Sequence, residues 1–178
     1  MNFTTPNGKI IRSLLFAVCL ILLLPACKSS ADPSKAPEFT LLNLQGDTVQ
    51  LSDFKNKVVL INFFATYCPP CRAEIPDFIK LQEKYNTDGF VVVGISVDEN
   101  GLFVLPGFVE ALKMNYPVLL ATSKVIKDYG NVYALPESFL LDREHRIIKQ
   151  YTGMVTIDEL EPVIRKALGL SQAKEAKN

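Results

Sequence analysis

The chain has 178 residues, 48% of them hydrophobic and 21% charged, and its 19 Lys and Arg balance 19 Asp and Glu. That length suits one globular domain, and with no surplus of either sign there is no electrostatic reason to expect nucleic acid or an anionic membrane surface as a partner.

Residues 1–26 carry Lys9 and Arg12, no acid, and an apolar run from Leu14 to Leu24. A bilayer-spanning helix needs about 20 apolar residues, so the run is too short and 1–26 reads as a signal peptide. Its removal leaves 152 residues with 17 basic and 19 acidic side chains, a formal charge of −2. A chain of that size builds a core without disulfide staples. Of the four cysteines, Cys19 lies in the apolar run and Cys27 just beyond it. Cys68 and Cys71 remain as one close pair in an exported domain, a pattern that suggests redox chemistry over a structural staple.

Residues 27–37 are rich in serine, proline and lysine, without apolar periodicity, and read as the processed N-terminus and a flexible tether. From residue 38 the pattern changes. Two strand-like segments, 39–42 and 48–51, flank Gly46-Asp47 and predict a hairpin. Residues 58–64 form a nearly continuous apolar run, as expected for a strand buried on both faces. From Pro69 to about Tyr85, the spacing of Ile75, Phe78, Ile79 and Tyr85 fits one helix face, with a kink expected at Pro76. Residues 90–97 repeat the buried-strand pattern, and strand, helix, strand implies a right-handed parallel crossover in an α/β fold. A helix containing 108–113, a strand at 117–120, a helical segment at 124–129 and strands near 138–141 and 147–151 follow. The last helix, 156–168, starts on Thr156 with Glu159 completing a capping box, and Gly169 lies beyond its end. The domain is predicted over 38–170, with a polar tail at 171–178.

Cys68-Pro69-Pro70-Cys71 sits where the first buried strand gives way to a helix. Cys68 falls at the helix N-terminus, where unpaired N–H groups and the helix dipole favour a thiolate and lower its pKa below ~8.5. Cys71 returns three residues later to the same side of the first turn, shielded by the helix. Cys68 is therefore expected to attack and Cys71 to resolve. The two prolines suit a first turn, where missing N–H groups cost little. A zinc site needs two more ligands, and beyond the pair the mature domain offers only His145, in the polar turn 142–146, so no metal site is expected. Phe63, Phe64, Phe78 and Phe139 read as core.

Residues 63–76, from Phe63 through Cys68-Pro69-Pro70-Cys71 to Glu74-Ile75-Pro76, resemble the active-site signature of the TlpA/ResA-like branch of thioredoxin-fold proteins. The likeness extends over roughly 36–170. It implies a thioredoxin fold: a central mixed β-sheet flanked by helices, an N-terminal β-hairpin and a central family insertion. It also implies a thiol-disulfide oxidoreductase outside the cytoplasm, in the periplasm or on the outer face of the cell membrane, without a cofactor. Its partners would be protein thiols and disulfides and a membrane electron donor of the transmembrane thiol-reductase kind. Leu24-Pro25-Ala26-Cys27 resembles a lipobox, which makes Cys27 the lipid attachment, with Pro25 departing from the usual small residue.

Asn62 stands where thioredoxins carry a buried aspartate. Glu74 matches a glutamate that tunes the cysteines in ResA-like reductases and, by proximity, would accept the Cys71 proton; a solvated glutamate in the helix's first turn is the alternative. Tyr67 replaces the usual tryptophan and still offers substrate a flat apolar face. Leu135-Pro136 resembles the segment whose proline is cis and faces the disulfide, with Leu135 offering its backbone to a substrate strand. Apocytochrome c and a copper-site assembly factor are candidate clients by analogy. Two other readings share the fold. A Sco-type copper-delivery module usually separates its cysteines by three residues, against two here. A peroxiredoxin-like peroxidase carries Pro-x-x-x-Thr-x-x-Cys, whose threonine position holds Ala65.

Overall fold

In this computed structural model residues 34–170 are described. The expected signal peptide at 1–26, the expected lipid attachment at Cys27, the start of the expected tether and the tail 171–178 lie outside the described residues. Two short strands, β1 (Thr40–Leu42) and β2 (Thr48–Gln50), pair antiparallel as the hairpin. Asn43 closes its turn, its side-chain oxygen accepting the N–H groups of Gln45 and Asp47 at 2.9 and 2.8 Å. A 3-10 turn, Leu51–Phe54, leads into the sheet.

The remaining strands and α-helices are β3 (Val58–Phe64), α1 (Pro69–Tyr85), β4 (Phe90–Ser96), α2 (Gly101–Leu112), β5 (Val118–Leu120), α3 (Ser123–Asp128), β6 (Glu137–Leu141), β7 (Ile147–Thr152) and α4 (Ile157–Leu168). The five-stranded sheet has the order β5-β4-β3-β6-β7. β3 runs parallel to β4 and antiparallel to β6, β5 is parallel to β4, and β7 is antiparallel to β6. This is the mixed sheet expected of a thioredoxin fold, with α2, β5 and α3 as the connection from β4 to β6.

Every residue of β3 and β4 is buried, which is why their sequences read as unbroken apolar runs. Alternation along β3 divides the core in two. Val58, Leu60 and Phe64 pack with Phe78 and Leu81 of α1 and Leu160 and Ile164 of α4. Val59, Ile61 and Phe63 pack on the other face with Leu41, Leu51 and Phe54 and with Val125 of α3. Asn62, in step with Leu60 and Phe64, therefore faces α1.

α1 continues through Pro76, and Pro76 and Arg72, whose carbonyl loses its helical donor, are both exposed. One expectation needs correction. Residues 34–37 are fixed in place instead of forming part of the tether. Ala36 N–H donates to the His145 carbonyl at 2.9 Å, Ile147 N–H to that of Ser34 at 2.8 Å, and the Tyr129 hydroxyl to that of Pro37 at 2.8 Å. The edge of β7 leaves backbone groups open to pairing, so a segment of loop-like composition is recruited there.

Candidate active site

β3 ends at Phe64 and α1 begins at Pro69, so the intervening loop presents Cys68 at the end of the sheet where the parallel strands finish. Cys68 is the N-cap of α1, with extended backbone (φ −91°), and its Sγ accepts the Cys71 N–H at 3.3 Å. The two cysteines are joined in a disulfide, with Cα atoms 5.3 Å apart. Cys68 is 7% exposed and Cys71 0%, so an incoming sulfur reaches Cys68 alone. When the pair is reduced, the N–H that caps onto Cys68 and the positive end of α1 favour its anionic form.

Glu74 lies three residues after Cys71, on the same face of α1, with Cβ atoms about 5–6 Å apart in an ordinary helix. It is 1% exposed, so the solvated alternative does not hold. Asn62 Nδ2 donates to Glu74 Oε1 at 2.7 Å and to Ser138 Oγ at 3.0 Å, and the Val155 N–H donates to Glu74 Oε2 at 3.2 Å. Burial is the dominant influence and raises the Glu74 carboxyl to about 7, against the lowering effect of the Val155 and Asn62 hydrogen bonds. A carboxyl held there, one turn from a buried sulfur, accepts or returns a proton near neutral pH. Burial first, and the nearby Glu74 second, push the Tyr116 hydroxyl far above its ordinary range, so it stays protonated.

The Leu135–Pro136 peptide bond is cis. It precedes β6, and because Glu137 pairs with Phe63 it stands at the cysteine end of the sheet. Pro136 is buried, Leu135 half-buried and Tyr67 exposed. The Pro136 carbonyl is already taken, accepting the Gly153 N–H at 2.8 Å. His145 is elsewhere: Leu141 pairs with Val59, which places the 142–146 turn at the opposite end of the sheet, and His145 Nε2 sits 3.0 Å from the Phe54 carbonyl. It cannot join the cysteines as a third metal ligand.

Three further residues belong to the site without any motif announcing them. Ser138 is the second acceptor of Asn62. Glu137, directly after the cis proline, is buried with Oε1 accepting from Gln150 Nε2 at 2.7 Å and Oε2 without a hydrogen bond. Asp98, beyond β4, accepts from the Thr66 N–H at 3.0 Å, the Thr66 hydroxyl at 2.7 Å and the Ser96 hydroxyl at 2.7 Å, and so holds the loop that carries Cys68. An acid after a strand is too common a pattern to flag this role.

The AhpC/TSA family model matches residues 33–150. The thiol-disulfide oxidoreductase ResA of Bacillus thuringiensis subsp. konkukian is 35% identical over 133 residues, covering 74% of this chain and 76% of that protein. Among solved structures, a thiol:disulfide interchange protein of the thioredoxin family from Chlorobium tepidum TLS superposes with a TM-score of 0.71 at 31% identity, covering 79% of this chain and all of that one. The pneumococcal exposed lipoprotein thioredoxin of Streptococcus pneumoniae has a TM-score of 0.63 at 26% identity, covering 73% of this chain and 99% of that one. A sulfur pair capping a helix on this sheet, together with these likenesses, makes the chain a member of the AhpC/TSA family and, within it, a thiol-disulfide oxidoreductase of the ResA type.

Proposed function

We propose that the protein is an exported, lipid-anchored reductase of protein disulfides, with Cys68 as nucleophile, Cys71 as resolving cysteine and Glu74 as the proton acceptor for Cys71. The observation that carries this is the asymmetry of the pair: a reachable Cys68 capped by an N–H at the helix start, and a fully enclosed Cys71 one turn from a carboxyl poised at about 7.

In the reduced protein the Cys68 thiolate attacks one sulfur of a client disulfide. A mixed disulfide forms and the other client sulfur leaves as a thiolate. Glu74 takes the proton of Cys71, whose sulfur attacks Cys68 Sγ. The second client sulfur leaves and is protonated, and the Cys68–Cys71 disulfide remains. A dithiol donor reverses the sequence and restores the pair, so two electrons pass from donor to client in each cycle. Tyr67 and the Leu135–Pro136 segment flank the sulfur where the client lies.

Export and anchoring rest on the 1–26 pattern and on Cys27, and the structural likeness to an exposed lipoprotein thioredoxin supports them. The donor in this reading is a transmembrane thiol reductase, and the clients include apocytochrome c or proteins that assemble a copper site. The deciding experiment equilibrates the protein with glutathione or dithiothreitol buffers and reads the thiols by alkylation. A potential near −270 mV, in the range of thioredoxin, supports a reductase, and one near about −120 mV makes it an oxidant.

A further inference from the structure

Seven large hydrophobic side chains are exposed among the described residues, and five of them are Tyr67, Leu102, Phe103, Tyr133 and Met154. All five fall at one end of the sheet. β3 and β4 are parallel and finish there at Phe64 and Ser96, antiparallel β6 starts there at Glu137, and β7 returns there at Thr152. Tyr67 follows β3, Leu102 and Phe103 follow β4, Tyr133 precedes β6 and Met154 follows β7. This is the end that carries Cys68.

α2 is unusual for a surface helix. From Gly101 to Val109 it carries no charged residue, and only Gly101 and Leu105 are buried. Its first two turns turn Leu102, Phe103, Pro106 and Gly107 outward, with Phe103 89% exposed. A soluble chain gains nothing by holding a phenylalanine in water, so such a patch marks an interaction surface. The helix is tied to the reactive loop at its start and to the elements flanking that loop further along. Asp98 binds Thr66 through its carboxylate and accepts the N–H of Gly101, the first residue of α2, on its carbonyl at 3.2 Å. Further along, the Phe108 ring stacks on Phe64 with centroids 6.1 Å apart and lies 5.8 Å from the guanidinium carbon of Arg72, the neighbour of Cys71.

We propose that the outward face of α2, centred on Leu102 and Phe103, is the docking surface for apolar side chains flanking the cysteine of an incompletely folded client, with Asp98 fixing its distance from Cys68. The proposal rests on the thiol-exchange reading above and adds the client class. The occupant follows from position: disulfide exchange requires a polypeptide over Cys68, and the patch stands at the same end of the sheet, on a helix whose first N–H is held by the Asp98 that also holds Thr66. Folded proteins bury their large apolar side chains, so a client offering several beside an accessible disulfide is one whose core has not closed.

The test uses the full chain and three probes: a peptide disulfide flanked by Leu and Phe, the same disulfide flanked by Ser and Gly, and glutathione disulfide. The L102S/F103S double variant is expected to raise KM for the Leu/Phe peptide about tenfold, the scale of burying one such side chain, and to leave the other two probes unchanged. Asp98→Ala is expected to reduce the preference for the Leu/Phe peptide with Leu102 and Phe103 intact, and Asp98→Asn, which keeps an acceptor for the Thr66 N–H, to restore part of it. The single change Phe103→Ser, at a residue already in water, serves where the double variant does not fold. Equal losses on all three probes, or no loss on any, overturn the docking surface. So does self-association of the wild-type chain in sedimentation that the double variant abolishes, because a second copy is then the occupant. Failure of the wild-type chain to react with any probe overturns the exchange reading itself, which no change of preference does.

Discussion

Asn62, in the middle of β3, donates its amide to Glu74 Oε1 over 2.7 Å and so joins the centre of the sheet to the helix that Cys68 caps. The bond favours the charged carboxylate, yet burial outweighs it and the carboxyl is raised to about 7. This opposition puts the carboxyl within reach of neutral pH.

Resolution of the mixed disulfide should therefore accelerate as pH rises through about 7, where Glu74 loses its proton. Glu74→Gln is expected to slow that step by about 10²-fold and to remove the inflection, while the first attack by Cys68 keeps its rate. Stopped-flow mixing of the reduced protein with a peptide disulfide separates the two steps.

The same carboxyl links stability to pH. The unfolded chain releases this proton near 4.5 and the folded protein near 7, so the folded state binds more protons between these values. The contribution is fully present below 4.5 and is lost as pH rises through about 7, a swing of about 3 kcal/mol. Urea unfolding of the oxidised protein from pH 4 to 8 should show this decline relative to Glu74→Gln, which has no proton to lose.

Asn62→Leu keeps the side-chain size but removes the donor shared by Glu74 and Ser138. The Glu74 carboxyl should move further up, and the inflection in the resolving step should move with it. Two buried acceptors left without that donor should cost about 1–3 kcal/mol in urea unfolding.

The cysteines should behave asymmetrically. Cys71→Ser is expected to accumulate a stable mixed disulfide with client, visible as an adduct by mass spectrometry, because Cys68 still attacks and nothing resolves it. Cys68→Ser should form none, since Cys71 is enclosed.

The fold was legible wherever burial on both faces made the sequence uniform, as in β3 and β4, or where a capping box and terminal glycine bracket a helix, as in α4. It was less legible where one local signal masked another. Pro106 and Gly107 interrupt the helical pattern, so the sequence identifies only the second half of α2, which begins at Gly101. In the site, Cys68 and Cys71 announce themselves by spacing, whereas the environment of Glu74 depends on Val155, 81 positions away, and on the alternation that turns Asn62 toward α1. Asp98 reaches Thr66 across 32 positions, a contact that the fold creates and that no window along the chain contains.

The pinning of residues 34–37 is open to the same kind of test. A chain starting at Glu38 loses the bonds from Ala36 and Ile147 and the Tyr129 acceptor on Pro37. Its urea midpoint should fall by the equivalent of about 1–3 kcal/mol relative to a chain starting at residue 33.

That segment joins the sheet beside Arg146, whereas Cys68 lies beyond the far end of β3, a strand of seven residues that spans roughly 23 Å. Ser34 and Cys68 thus stand at opposite poles of the sheet, heel and toe of one body, and a change at either end reaches the other only through the full length of β3.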